Sequence, residues 1–447
     1  MKRRLFIVSI IFAISVQGCI RIAKSTEYVS TMISPSTPQN NSPIQNNSEI
    51  LSDPVQEVSN SVDETADILS DNVFSKCVTI ESKLHNQEKF GSIILSSANN
   101  NLSNLIFSWN TNELISFQKE NYLIYDLFLS PDGNWLAFDS NRIGDSSNEE
   151  IVAIYLTTDE VHHYPSDNQY PYTSYISGWR NNQELLISTL DLENKKLDFI
   201  RVLNPITGQM DELSTDYPEI INRIWEWRQQ SWPSVTIYSP SLDYVVYMSD
   251  DKPGEKFGDY RLVLFDRQKS QAIANIDKFG STMVYPLWKS DSSGFYYVLT
   301  SPNTERDGHT DEWYFMNVNG VSNQLTQIQK KYTNSVIYGA KISPDEEKIA
   351  FELLFNQSSD TKWQSKLLVL DIASQQITDY CISIEHLSKL VWSVDSNYIA
   401  HSEKNVDEFV HVNILDLNNF HTMAIGENMR PEVWTDKIEL NGYFPQD

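Results

Sequence analysis

The stretch LSPDGNWLAFDSNR, Leu129–Arg142, joins a turn to a strand, and its skeleton returns further along the chain. Ser-Pro-Asp-Gly suits a type I turn, which favours Pro at its second position and Gly at its fourth. The WLAF that follows is apolar and aromatic, as a strand requires. Aligned on the bulky residue before the turn, the pattern recurs as WRNNQELLI at Trp179, YSPSLDYVVY at Tyr238, WKSDSSGFYY at Trp288, ISPDEEKIAF at Ile342, WSVDSNYIAH at Trp392 and WTDKIEL at Trp434. Successive anchors lie 50, 59, 50, 54, 50 and 42 residues apart. Self-similarity at a near-constant period marks a repeat architecture, and seven anchors predict seven units.

Each unit carries a second signal after its turn. A hairpin follows in six of them: AIYLTTDEVHHY, RVLNPITGQMDEL, LVLFDRQKSQAIA, YFMNVNGVSNQL, LLVLDIASQQIT and VNILDLNNFHTM. The turn and the hairpin together predict four antiparallel strands per unit. The second and third are nearly continuous apolar runs such as FYYVL and LLVL, as expected where neighbouring sheets cover both faces. The fourth are more polar, as suits an outer edge. An all-β fold of four-stranded sheets repeated about an axis is a β-propeller.

The SPDG-type turn after the first strand, at this unit length, resembles the TolB-type, WD40-like propeller repeat. It is also similar to the propeller domains of prolyl oligopeptidase- and dipeptidyl peptidase IV-type proteins. The resemblance covers roughly 74–447 and implies a fold more than a function, because the repeated residues form turns and pack. Only the first unit has the complete Ser-Pro-Asp-Gly, and the fifth has most of it. The last unit stops after Trp434 without its hairpin, whereas GSIILSS, Gly91–Ser97, and NLIFSWNTNELISF, Asn104–Phe117, precede the first anchor unassigned. The expectation is a seventh, mixed blade whose inner strand comes from the C-terminus and whose outer strands come from the N-terminus, leaving no exposed terminal sheet edge. Rings of six or eight blades are the alternatives.

Upstream, Lys2, Arg3 and Arg4 precede the apolar run LFIVSIIFAISV. This is the form of an export signal, and the run is too short to span a bilayer. Its end, VQGC, resembles a bacterial lipobox, although Gln17 departs from the small residue usual there. Residues 1–19 are therefore expected to be a lipoprotein-type signal ending at Cys19, with lipid on that residue and plain signal cleavage as the alternative. Residues 20–73 read as a disordered tether. From Ser25 to Asn72 the chain is rich in Ser, Thr, Asn and Pro, and holds eight acids with no Lys or Arg. It cannot bury enough apolar surface to offset its ordering entropy. Residues 74–447 are the expected propeller. The predicted compartment is extracytoplasmic, with the membrane reached by the lipid alone. Cys77 and Cys381 are then the pair available for a disulfide, though the sequence does not show that they meet.

A formal charge of −26 repels phosphate backbones, and no basic patch interleaves with aromatics, so nucleic acid is not an expected partner. The chain contains no G-x-S-x-G, H-E-x-x-H, G-x-G-x-x-G, phosphate-loop or EF-hand pattern. Peptidases with similar propellers add an α/β-hydrolase domain, for which the expected ring leaves no room here. No catalytic residue, cofactor or metal is assigned. His162 and His163 are adjacent, and neighbours on a strand point to opposite faces, so they do not jointly hold an ion. The acid-rich ERDGHTDEW, Glu305–Trp313, lacks the alternating oxygens of a calcium loop and reads as a solvated connection.

The strongest site signal is aromatic. In a propeller, connections from an outer strand to the next inner strand emerge on one face, and two are long here: His162–Tyr175 and Asp216–Ser234. Tyr170, Tyr172, Trp225, Trp227 and Trp232 would form a platform on which sugar rings or peptide side chains stack. The competing reading packs them between blades or in the channel mouth. Two functions follow from different classes. The first is a non-catalytic, monomeric envelope protein binding a protein, peptide or glycan through one face. The second is a hydrolase or lyase, or an accessory subunit of a peptidase, using acids carried by the propeller. Buried carboxylates of raised pKa at the channel mouth would favour the enzyme.

Overall fold

The computed structural model describes residues 72–80, 91–97, 105–108, 113–116, 122–142, 145–158, 160–165, 172–191, 196–212, 238–249, 260–279, 284–303, 308–332, 334–356, 363–384, 388–404 and 410–437. All of them belong to the unit formed by Asn60–Asp447. Apart from the 3-10 turn Ile328–Lys330, their regular structure is strand.

The SPDG turn explains the repeat in physical terms. Ser130 Oγ donates to Asp132 Oδ1 at 2.6 Å and accepts the Trp135 N–H at 2.9 Å, while the Asn134 N–H reaches the same carboxylate oxygen at 3.1 Å. Gly133 stands between them at φ +73°, a conformation that costs an L side chain about 1 kcal/mol or more. Ser343 with Asp345 and Ser393 with Asp395 rebuild the bracket in two later units. A short Ser-x-Asp segment therefore turns the chain and starts the next strand without help from the rest of the fold.

Each turn opens a sheet. The first sheet runs Tyr122–Leu129, Trp135–Arg142, Asp145–Tyr155, Glu160–Pro165, and the second Tyr172–Asn181, Glu184–Asp191, Lys196–Leu203, Met210–Glu212. The third has three described strands, Tyr244–Ser249, Tyr260–Asp266 and Gln271–Phe279, with an isolated bridge from Tyr238 to Val245. The fourth runs Leu287–Trp288, Gly294–Asn303, Gly308–Asn317, Ser322–Gln324. The fifth comprises Ser335–Ile342, Lys348–Phe355, Gln364–Asp371 and Gln376–Ser383, and one parallel pairing, Thr310 with Ser335, links it to the fourth. The sixth contains Val391–Trp392, Tyr398–Lys404, Val410–Asp416 and His421–Glu427. Within these sheets neighbouring strands are antiparallel.

One more sheet draws on both ends of the described chain. Met429–Thr435 pairs with Ser92–Ser97, followed by Leu105–Ser108 and Glu113–Ser116. Trp434 faces Ile93 across the first of these pairings.

The cores lie between sheets rather than within one. Ala137 and Ile151 of the first sheet pack with Leu185 and Ile187 of the second, and Val202 of the second packs with residues of the third and fourth. Trp313 of the fourth meets Phe351 of the fifth, while Val369 of the fifth meets Ile399 of the sixth. The mixed sheet is shared: Ile93 and Trp434 pack on Ile414 of the sixth, Ile94 and Val433 on Leu136 of the first. Most of the buried residues sit on second and third strands, where the sequence pattern placed the continuous apolar runs.

Polar ties cross the same boundaries at the inner strands. Trp179 Nε1 donates to the Phe128 carbonyl at 2.9 Å, and Trp392 Nε1 to that of Lys341 at 3.0 Å. Arg180 Nε reaches the Pro240 carbonyl, the Ser241 N–H reaches Ser292 Oγ, and the Asp345 N–H reaches Ser396 Oγ. Asp139 accepts the Ile176 N–H and Asp311 the Ile337 N–H, each carboxylate holding the inner strand of the following sheet. Trp179→Phe keeps an aromatic ring at the site and removes the donor together with part of the indole's bulk. The expected loss is about 1 kcal/mol in urea unfolding, and an unchanged midpoint would show that the bond contributes nothing net.

A strap completes the described fold. Val73–Ser75 pairs in parallel with the outer strand of the fifth sheet, and Thr79–Ile80 with the outer strand of the sixth. Between the two contacts Cys77 is disulfide-bonded to Cys381, their Cα atoms 4.8 Å apart. Asn72 and Val73 are buried against the fifth sheet, and the Asn72 side-chain amide donates to the Gln375 carbonyl at 2.9 Å.

Candidate functional site

The turns meet around a cavity of about 720 Å³. Its lining comes from six of the sheets: Leu127–Gly133, Trp179 and Asn182, Ser290, Lys341–Pro344 with Glu346, Leu390–Trp392 with Val394, and Glu432–Trp434. Apolar residues dominate the wall. Pro131, Pro344 and Val394 fill the same second position of three turns, and all three are exposed. The Ser-x-Asp bracket aims that position away from the core, so these three repeats each offer one short apolar side chain to the cavity.

The acids of the lining are engaged in architecture. Burial works to raise the Asp132 carboxyl, but hydrogen bonds from Ser130 and Asn134 outweigh it and hold the group below its ordinary range. Glu346 Oε1 accepts the Ser290 N–H at 2.6 Å. Glu432 accepts Ser96 Oγ at 2.5 Å and pairs with Lys389. Two carboxyls whose pKa is raised lie elsewhere. Burial pushes Glu312 up despite hydrogen bonds from Thr326 and the backbone of Gln329 and Ile328, and burial likewise raises Glu403. Neither lines the cavity. Among the described residues no group of three or more His, Cys, Asp or Glu is arranged to hold a metal ion.

Of the aromatic platform, Tyr170, Trp225, Trp227 and Trp232 lie outside the described residues, as does Cys19. Tyr172 opens the strand Tyr172–Asn181, paired with Asp191, so the connection expected to run to Tyr175 ends before it. The β-branched and aromatic run YTSYI extends the strand further back than turn composition suggested. Trp179, which lines the cavity, is close to the other end of that strand, roughly 20 Å from Tyr172 at 3.3 Å per residue.

The histidine pair behaves as strand neighbours should. His162 contacts the Trp135 ring, with centroids 5.7 Å apart, while His163 Nδ1 meets Glu150 at 3.1 Å. The acid-rich stretch needs correction. Gly308–Asn317 is a strand, and Asp311 and Glu312 are buried in it rather than solvated. Thr300 and the Ile337 N–H satisfy Asp311. Glu312 caps the 3-10 turn, accepting Thr326 Oγ1 and the N–H groups of Ile328 and Gln329. The site residues that the sequence reading missed are the turn positions Pro131, Pro344 and Val394. Their shared place in the repeat was the available signal.

No protein-family model and no curated protein sequence matches the chain. Solved structures do resemble it at low identity. One is TolB from Acinetobacter baumannii, 11% identical, covering 76% of this chain and 63% of that one with a TM-score of 0.37. Another is an oligogalacturonate lyase in complex with manganese, 10% identical, covering 74% and 83% with a TM-score of 0.44. A third is the β-propeller domain of the Trilobed protease from Pyrococcus furiosus, 12% identical, covering 67% and 82% with a TM-score of 0.40.

Proposed function

We propose that the chain is a non-catalytic binding protein of the cell envelope, a seven-bladed β-propeller that receives a segment of a protein or peptide partner at its turn-lined cavity. The ring reading is supported by the succession of cores: each sheet packs on the next, and the mixed sheet packs on both the sixth and the first. Lipid on Cys19 and the acidic segment after it would hold the propeller outside the cytoplasm as a monomer. The observation that carries the binding reading is the cavity wall, apolar at three turn tips and edged by carboxylates already committed to turn, backbone and side-chain bonds. Such a wall can bury side chains of a partner. Its described acids, Asp132, Glu346 and Glu432, each already accept a hydrogen bond from the protein, which lends the hydrolase or lyase reading no support. Glycan remains the alternative ligand class, by way of the aromatic connections that the sequence offers.

The test uses the full chain and a variant carrying Pro131→Asp, Pro344→Asp and Val394→Asp. Exposed turn tips contribute little to the core, so the melting transition should stay nearly unchanged. Capture of an envelope protein or peptide should weaken by about 1–2 kcal/mol per true anchor. Equal capture by both chains would remove the cavity from the reading, and cleavage of a captured ligand would return the enzyme.

A further inference from the structure

We infer that the strap, residues 72–80, is a redox-releasable latch: its disulfide can be opened by a dithiol while the sheets beneath it remain folded. The argument begins with how little else holds it. The strap makes three parallel pairings with the fifth sheet and two with the sixth. Its side chains bury little, since Phe74 is 49% and Ile80 87% exposed, leaving Val73 and part of Val78 in contact with the cores. The remaining ties are hydrogen bonds and surface contacts: the buried Asn72 amide donates to the Gln375 carbonyl, the Lys76 and Val78 N–H groups donate to the Asp379 and Tyr380 carbonyls, and at the surface Lys331 Nζ meets Ser75 Oγ at 2.7 Å, Lys76 lies over the Phe420 ring and Thr79 meets His421.

The sheets do not depend on it. Without the strap the fifth and sixth sheets still have four strands each. A disulfide that stapled a core element could not be opened without unfolding; this one joins a peripheral strand to an outer edge.

The bond is also accessible. Cys77 and Cys381 are both exposed. Cys381 sits at φ +62°, a left-handed conformation unfavourable for a residue with a Cβ, in a stretch of the outer strand where the register with Lys366 and Leu368 shifts. In the reaction a thiolate of the dithiol attacks one sulfur of the cystine. The S–S bond breaks to give a mixed disulfide and one free cysteine thiolate. The second thiol of the reductant then displaces the other cysteine and closes the reductant's own disulfide. Two electrons and two protons pass from reductant to protein. Release uncovers the backbone edges of Gln376–Ser383 and His421–Glu427, and moves the point where the chain joins the sheets from Asn72 to the strand beginning at Ser92.

The experiment treats the full chain, with Cys19→Ser so that every thiol is accounted for, with dithiothreitol under native conditions. Alkylation and hydrogen exchange are followed by mass spectrometry. Both cysteines should become alkylated while exchange in 72–80 rises at least tenfold and exchange in 376–383 and 421–427 rises with it. Strands 348–355 and 398–404 should stay protected. Cys77→Ser with Cys381→Ser should reproduce that pattern without reductant. Alkylation that appears only with loss of protection in 348–355, alkylation that leaves the strap protected, or failure of the double variant to fold would each overturn the latch.

Discussion

Deleting the chain from Pro431 onward should abolish the cooperative fold rather than trim one edge of it. Pro431, Val433 and Trp434 are all buried, and their strand is the inner partner of Ser92–Ser97. Two cores lose members at once, one shared with the sixth sheet and one with the first. The loss of Trp434 alone is expected to cost about 3–5 kcal/mol, a large share of the roughly 5–15 kcal/mol that holds a native domain together. Removing the whole strand exceeds that share and leaves the edge of Ser92–Ser97 unpaired. Trp434→Ala is the graded form of the experiment, expected to fold with a lowered urea midpoint. Hydrogen exchange across Ser92–Ser97 and Leu105–Ser108 should rise in both variants. Protection there that survives the deletion would mean that the N-terminal strands do not depend on the C-terminal one, and the closed ring would fail with it.

How much of this was legible follows from what the repeat encodes. The Ser-x-Asp bracket is local, so its residues announce themselves wherever it occurs, and anchors such as Leu129, Ile342 and Trp392 all end the inner strands of their sheets. The mixed sheet was legible by subtraction, since a hairpin was missing at one end and present at the other. The strap was not. VFSKCVTI has the β-branched residues of a strand, but its partners lie some three hundred residues away and pair in parallel, which leaves no hairpin signature in sequence. The cavity was illegible for another reason. Pro131 and Pro344 are residues the turn favours in its own right, so the only sign that they also line a shared space was their matching place in the repeat.

The acid-rich stretch near Trp313 shows the converse failure. Consecutive acids suggest solvent, yet Asp311 and Glu312 point to opposite sides of one strand and find donors on each: Thr300 and Ile337 for the first, the 3-10 turn for the second. Composition reports polarity and not whether the polarity is met. Buried carboxylates of this kind fix how consecutive sheets sit against each other, since an unmet one would cost about 1–3 kcal/mol or more.

His401 is the case where polarity is not met, and it should make the protein sensitive to acid. It lies on Tyr398–Lys404, paired with Asn413, and is fully buried. Neither ring nitrogen has a hydrogen-bond partner among the described residues. Burial lowers its pKa from 6.5 to about 4. The unfolded chain therefore binds this proton more readily than the folded one. Above about 6.5 the imidazole is neutral in both states and costs nothing extra; as pH falls from there towards about 4, only the unfolded state gains the proton. The slope approaches about 1.4 kcal/mol per pH unit, and the total loss is about 3 kcal/mol. Carboxylates held below their ordinary range, Asp379 and Asp266 among them, also withdraw stability in acid, so the wild-type curve alone cannot isolate the histidine. The comparison with His401→Phe does. Phe351 follows Ile342 by the same number of residues as His401 follows Trp392, so an aromatic hydrocarbon already fills the matching place in the neighbouring sheet. The variant should be at least as stable as the wild type near neutrality, where it removes two unmet polar atoms. Its advantage in urea unfolding should then widen by about 3 kcal/mol between pH 6.5 and 4. Parallel stability curves for the two proteins over that range would show that His401 reaches a proton or a partner in the folded state, and the acid sensitivity would have to come from the carboxylates alone.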